Sequence, residues 1–357
     1  MGSGPQAEAE VFKHRYLVFG TVLEVLVAIP PERQASLENS LLNVERKLNA
    51  MHRQWHAWKP GRLQEINTAL RAGKSIVLTD EELALLRQAQ ALSLTSQGFF
   101  DPAVGELVHL WGFHTDEFPL RSPPPSDERI DDWLAHRPTM GDLRFDGRRL
   151  WSENPRLWLD FGGLAKGWAV DVVKSMLKKD GFENIIINAG GDVLVSGNKR
   201  NKPWKVAIRA PGGAWPGPVV AVIHSRGQEA VFTSGNYQRY KEFNGTRYAH
   251  VLNPFTGRPV PDVASVTVIA KNGWLADAAA TAIMVAGWRR WPDVASGLGI
   301  HQVLMLGERG RCEVTSAMLT RLTDTSLECT IRETHVQTGG ERGLAPTQAQ
   351  THESTGH

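Results

Sequence analysis

The stretch NIIINAGGDVLVSG, residues 184–197, decides the fold. It is rich in Ile and Val and broken by glycine, which reads as a strand-like run with turn punctuation. Asn188, Gly190 and Gly191 mark either a β-bulge or a place where backbone closely approaches backbone or ligand, because glycine has no Cβ. Three similar runs follow in series: WKVAIRAP (204–211), VVAVIHS (219–225) and EAVFTSG (229–235). Short strands in series with turns between them predict a largely antiparallel sheet.

Working outward, RYLVFGTVLEVLVAIP (15–30) predicts a strand with a turn or bulge at Gly20 and Thr21. Residues 32–55 carry Leu37, Leu41, Leu42, Val44, Leu48 and Met51 at helical spacing. TDEELALLRQAQALSLTSQG (79–98) is a second helix, opened by a capping box of Thr79 and Glu82. Residues 115–140 are rich in proline and charge and read as a surface loop or insertion. AKGWAVDVVKSMLKKDG (165–181) is a helix that stops at Gly181, and LADAAATAIMVAG (275–287) is another, followed by a further helix near RRWPDVASGLG (289–299). HQVLMLG (301–307) and RCEVTSAM (311–318) close the pattern as two last strands. The expected class is α+β, a mainly antiparallel sheet core with flanking helices. The expected division is a tether over 1–14, an N-terminal part over 15–130, a core over 131–332 and a disordered tail over 333–357, where there is little to bury.

Composition narrows the function. The chain has 357 residues, a 41 % apolar fraction and a formal net charge of +2, with no long basic run. A general nucleic-acid binder carries a basic stripe, so that partner is disfavoured. There is no apolar run of 18 residues, so no membrane span is expected. Cys312 and Cys329 allow either a disulfide or two free thiols, since sequence gives no Cα separation. The N-terminus MGSGPQAEAEVFKHRY lacks the apolar core of a signal peptide. It suits either a cytosolic protein or an exported one whose signal is missing, with Gly-Ser-Gly and a polar linker following a lipid-modified cysteine.

Four segments carry more polar and glycine punctuation than a plain core needs. In WLDFGGLAKGWAVD (158–171), Asp160 precedes Gly162 and Gly163, and Lys166 opens a helix whose N-terminus favours anions. It is not a Walker A loop, because Gly167 follows the lysine where that motif needs Ser or Thr. The plain alternative is a tight turn with a solvated lysine. In INAGGDVLVSG, Asp192 follows the glycines. In TSGNYQRY and YAHVLNPFTGRPV, Thr233 and Ser234 end a strand, and His250 stands before a rigid turn as a candidate general base. In LADAAATAIMVAG, Asp277 and Thr281 are four apart and share one helix face, two hard oxygen donors suited to Mg²⁺. The plain alternative is Asp277 as a helix N-cap.

In this order and combination, DFGGLAKGWAVD, INAGGDVLVSG, TSGNY, YAHVLNPFTGRPV and ADAAATA resemble the ApbE family, the FAD:protein FMN transferases. FGT (19–21) and FFDPAVGELVHLWGF (99–113) are similar to that family's N-terminal elements, with Phe19 in place of Met, so the resemblance runs from about residue 15 to about 320. It implies a T-fold-related, two-part architecture. It also implies Mg²⁺-dependent transfer of FMN from FAD to a Thr or Ser of a target protein, with release of AMP. His250 is implied as the group that deprotonates the acceptor. Asp160 and Lys166 are implied to contact FAD, and Phe19, Trp58, Phe100, Asp101 and Leu252 to line its pocket. Gly163, Asp277 and Thr281 are implied as Mg²⁺ ligands. Trp274 stands where some members have an additional acidic residue, and MHRQWHAWKPGRLQEIN (51–67) departs from a Ser-rich family segment. The implied acceptor is a membrane electron-transfer protein, and the implied location is the periplasm, as a lipid-anchored protein; the alternative is the cytoplasm. Alternative activities are an FAD pyrophosphatase using the same site and a non-enzymatic FAD-binding protein.

Overall fold

Strand order in space follows strand order in sequence. The structure, a computed structural model, describes residues 10–334 apart from 213, 214, 216, 226 and 238. Among the described residues the largest sheet has nine strands: β1 Glu10–Val18, β2 Thr21–Ile29, β3 Ile185–Ala189, β4 Asp192–Ser196, β5 Glu229–Gly235, β6 Val263–Ala270, β7 Gln302–Gly307, β8 Cys312–Val314 and β9 Thr330–Ile331. Each pairs antiparallel with the next except β8 with β9, which run parallel. The expected antiparallel α+β fold is the one observed.

The inserts between these strands build the layers. Between β2 and β3 come α1 Gln34–Gln54, α2 Arg62–Arg71, α3 Asp80–Thr95, α4 Gly105–Leu110, α5 Asp127–Ala135 and α6 Ala165–Lys179. Between β6 and β7 comes α7 Gly273–Gly297, broken at Gly287 by φ 62° and ψ −174°, so the two expected helices meet there. The apolar faces of α1, α6 and α7 cover one side of the sheet: Val44, Leu48, Val170, Val173 and Ile283 pack with Val25, Ile187, Phe232 and Val268. The other side is covered by a three-stranded sheet of Trp204–Arg209, Val219–Ser225 and Leu322–Thr323. With both faces covered, β6 (VASVTVIA) is buried along nearly its whole length, so its sequence is apolar with little alternation. A third cluster gathers Leu107, Trp111, Ile130, Trp133 and Leu252 under α4 and α5.

Several expectations change. Residues 184–197 are a hairpin, with β3 and β4 joined at Gly190 and Gly191 and Ala189 paired to Asp192. Residues 15–30 are also a hairpin, because Phe19 (φ 53°) and Gly20 (φ 68°) form a tight turn of the kind that matches strand twist. Residues 10–14, assigned to the tether, are paired strand. The runs 204–211 and 219–225 leave the main sheet for the covering one. The segment 115–140 contains α5, whose Ile130 and Trp133 are buried. Because β2 pairs with β3, the parts expected on either side of residue 130 share one sheet and one core. The expected tail lies outside the described residues except for Glu333 and Thr334. Cys312 and Cys329 form a disulfide, with Cα atoms 4.6 Å apart. Among the described residues no helix is long and apolar enough to cross a membrane.

Candidate active site

The start of α6 has no capping side chain of its own, since Leu164 occupies the N-cap position. The cap comes from α7: Asp277 accepts from the Gly167 N–H at 2.9 Å and from the Lys166 N–H. The Ala165 N–H donates to Phe161 O at 2.8 Å. The helix terminus expected to offer free N–H groups to an anion is therefore already satisfied within the chain. Helix α7 is capped separately, by Asn272 accepting from the Leu275 N–H at 2.9 Å, so Asp277 is not its N-cap. The two helices approach closely enough that a Cβ on Gly167 would run into the Gly273 carbonyl and lie 2.8 Å from the Asp277 Cβ. That contact, rather than phosphate binding, explains the third glycine of the motif.

One turn beyond Asp277, Thr281 Oγ1 lies 3.2 Å from Ser234 Oγ at the end of β5. A Cβ on Gly163 would lie 3.1 Å from that Thr281 hydroxyl and 3.6 Å from the Phe100 ring. Gly163, Phe100, Asp277, Thr281 and Ser234 thus share one corner. Burial pushes the Asp277 carboxyl up, while Lys166 and the two N–H donors pull it back. Lys166 makes an ion pair with Asp192 at the start of β4; Asp192 also accepts from the Thr233 N–H at 2.9 Å. Solvent still reaches 31 % of the lysine side chain against 4 % of the aspartate's, so the cation faces the cleft and its anion lies behind it.

A second wall is aromatic. Asp160 accepts from the Gly162 N–H at 2.7 Å and contacts His114 Nε2 at 2.9 Å. Burial opposes its charge, but His114 and the Gly162 N–H outweigh that and hold its pKa below the ordinary value. His114 stacks on Trp58 with centroids 5.4 Å apart. Contacts of 4.4, 5.5 and 5.6 Å then run from Trp58 through His56 and His52 to Phe19. The Phe19 N–H also donates to His52 Nδ1 at 3.2 Å. Burial, then Lys59, holds His52 and His56 below the ordinary histidine value, which favours their neutral forms.

A third wall is the hairpin of Tyr240–Phe243 and Thr246–Ala249. His250 follows it, and its backbone N–H and its Nδ1 both face the Arg239 carbonyl, at 3.3 and 3.1 Å. Donation to that carbonyl fixes the proton on Nδ1 and leaves the Nε2 lone pair free, the form a general base requires. Burial and then the charge of Arg239 push His250 down to about 4, with Lys166 adding and Asp160 opposing. The imidazole is therefore neutral near pH 7. Arg239 itself reaches across to the β1–β2 turn, where its Nη2 would lie 2.8 Å from a Cβ at Gly20.

The structure brings together Phe19 with the aromatic wall, Trp58 with Asp160 through His114, and Phe100 with Gly163, Asp277 and Thr281. The charges of Lys166 and Asp160 both act on His250. Two candidates serve the scaffold. Asp101 is buried and accepts from the Ala103 and Met140 N–H groups at 3.0 and 3.2 Å. Leu252 packs in the third apolar cluster with Trp111 and Trp133. Sequence reasoning missed Asp192 as the partner of Lys166, and it missed His114 and Arg239. No local sequence pattern pointed to any of the three, because each acts through a partner distant in the chain.

The ApbE family profile matches residues 19–304. An FAD:protein FMN transferase of Rhodobacter capsulatus is 41 % identical over 319 residues, covering 88 % of this chain and 59 % of its own length. The chain thus spans less than two thirds of that relative. The crystal structure of the ApbE protein from Thermotoga maritima superposes with a TM-score of 0.78 at 29 % identity, covering 88 % of this chain and 100 % of its own. The flavin transferase ApbE from Vibrio cholerae superposes with a TM-score of 0.76 at 30 % identity, again over 88 % of this chain and 100 % of its own.

Proposed function

The chain belongs to the ApbE family, and from that premise we propose that it is an Mg²⁺-dependent FAD:protein FMN transferase. In this reading it joins FMN through a phosphoester to a Thr or Ser of a redox protein and releases AMP. The acceptor oxygen attacks the phosphorus of the FMN phosphoryl group. A P–O bond forms to the acceptor, the P–O bond to the AMP phosphate breaks, and that electron pair leaves with AMP. Such a transfer asks the protein mainly for positioning and charge stabilisation. His250 Nε2 takes the acceptor proton. Its low basicity before FAD binds rises when a diphosphate dianion enters beside it, because a nearby negative charge favours the imidazolium.

The observation that carries the reading is the convergence on one cleft of a cation, a carboxylate with two hydroxyls, and a neutral imidazole with a free Nε2: Lys166, Asp277 with Thr281 and Ser234, and His250. For Mg²⁺ the donor set is suitable. Asp277, the Thr281 hydroxyl and the Gly163 carbonyl are hard oxygens, and among the described residues no group of three or more His, Cys, Asp or Glu is placed to cage a metal. A single carboxylate, with waters and substrate phosphate completing the shell, is the usual Mg²⁺ arrangement. When bound, the ion supplies Lewis acidity at the phosphoryl oxygens. Trp58 and its imidazole neighbours offer flat faces to flat rings.

The same reading puts the protein in the periplasm, held at the membrane through its N-terminus, acting on an electron-transfer partner. The disulfide of Cys312 with Cys329 supports an oxidising compartment. The test is to mix the protein with FAD, Mg²⁺ and an acceptor carrying a Thr in a flavinylation-type site, then follow AMP and the acceptor's intact mass. AMP with an FMN-sized mass gain is expected. AMP without any gain on a panel of acceptors would instead favour a pyrophosphatase.

A further inference from the structure

We infer that Arg239 is a catalytic residue of this transfer, its guanidinium neutralising charge on the diphosphate oxygens as the P–O bond to AMP breaks. The inference rests on the transferase reading. It starts from the charges around the cleft. Lys166 is matched by Asp192, Asp160 is held by His114, and His250 is neutral near pH 7. Arg239 makes no ion pair and no side-chain hydrogen bond among the described residues. Asp116, which feels its charge, is already bound to Lys59 at 2.6 Å. Among these cations, Arg239 alone is left without a counter-ion at contact distance among the described residues, and it is the residue whose carbonyl holds His250.

Its position is fixed from two sides. The Arg239 carbonyl receives both the backbone N–H and the ring Nδ1 of His250, so base and guanidinium belong to one short structural unit. The side chain extends over the missing Cβ of Gly20 and past the Phe118 ring, with 5.7 Å to its centroid. Its charge lowers the basicity of both Lys166 and His250. A guanidinium is planar, always charged and weakly hydrated, and it can bridge two phosphate oxygens with parallel N–H donors. That geometry suits a group whose charge grows as AMP departs more than one that binds ground-state FAD.

The experiment compares native protein, Arg239→Gln and Arg239→Lys, measuring FAD affinity by flavin fluorescence and turnover by AMP release and acceptor mass. Arg239→Gln is expected to lower kcat by about 100-fold or more while FAD affinity changes by far less. Arg239→Lys, which keeps the charge and loses the fork, is expected to recover about tenfold over the Gln variant. Melting curves check the fold. If the Gln variant melts early, native against Lys carries the test, and equal kcat for those two overturns the inference. An Arg239→Gln variant as active as native, or a loss of FAD affinity as large as the loss of kcat, also overturns it. Native protein that neither releases AMP nor labels an acceptor overturns the transferase reading, and this inference with it.

Discussion

The wall built by α6 and α7 and the wall built by the His250 hairpin differ in how far the chain satisfies its own groups. On the first, Asp277 caps α6, Lys166 is paired with Asp192, and Gly167 and Gly273 bring the helix backbones together. On the second, among the described residues the His250 Nε2 is left as a free acceptor and Arg239 has no counter-ion at contact distance. A satisfied wall costs little to hold still, so it can set where the phosphates sit. A wall with spare proton-accepting and charge-neutralising capacity is where a reaction can be driven.

The strongest way to break this contrast is to separate the two duties of Asp277. Asp277→Asn keeps an oxygen for the Gly167 N–H and removes the charge. Transfer should fall by about 1,000-fold, with melting close to native. If Asp277→Asn keeps its activity, the residue is a helix cap and nothing more. EDTA should abolish turnover to the same degree without unfolding the protein.

Next in size is His250→Gln, with turnover down about 100-fold or more and FAD binding retained. Loss of binding instead would move His250 to the satisfied wall. The native pH profile sharpens the same point. Neutral imidazole is the working form and its folded pKa lies at about 4. The free-enzyme profile, kcat/KM, should therefore hold as pH falls through 6.5 and drop only on approach to 4. A drop centred near 6.5 would mean that the histidine is not shielded as described.

Gly167→Ala probes the first wall alone. Its Cβ has nowhere to go but the Gly273 carbonyl, so stability should fall by about 1–3 kcal/mol, read as a lower melting temperature. An unshifted melt would mean the helices separate freely there. The smallest effect is expected from Trp58→Ala, which removes one stacked face: FAD affinity down about tenfold, with kcat little changed.

Sequence made local features legible and long-range ones opaque. The Thr79 and Glu82 capping box is observed as read, because every atom in it lies within one turn. Asp277 and Thr281 were found because helical spacing alone puts them on one face. The turn expected at Gly20 and Thr21 falls instead at Phe19 and Gly20, one residue earlier, because Phe is an uncommon residue at positive φ. Helix α5 was hidden by the prolines before Ser126, although Ser126, Asp127 and Glu128 are ordinary start signals. His114 and Arg239 carry no local pattern at all. One matters through Asp160, 46 residues away, and the other through a turn near the opposite end of the chain.

The order of the strands also has a consequence for how the molecule is made. Strands β1 and β2 are free to pair as soon as both are made, but β3, the next partner of β2, follows only after roughly 150 further residues. Throughout that interval β2 presents an unsatisfied edge, with Val25 and Val27 waiting for their cover. The turn that helps shape the cleft is thus made well before the strand that locks it in place. The flank on which Phe19 and Gly20 meet Arg239 is therefore completed only once the long insert between β2 and β3 has been made.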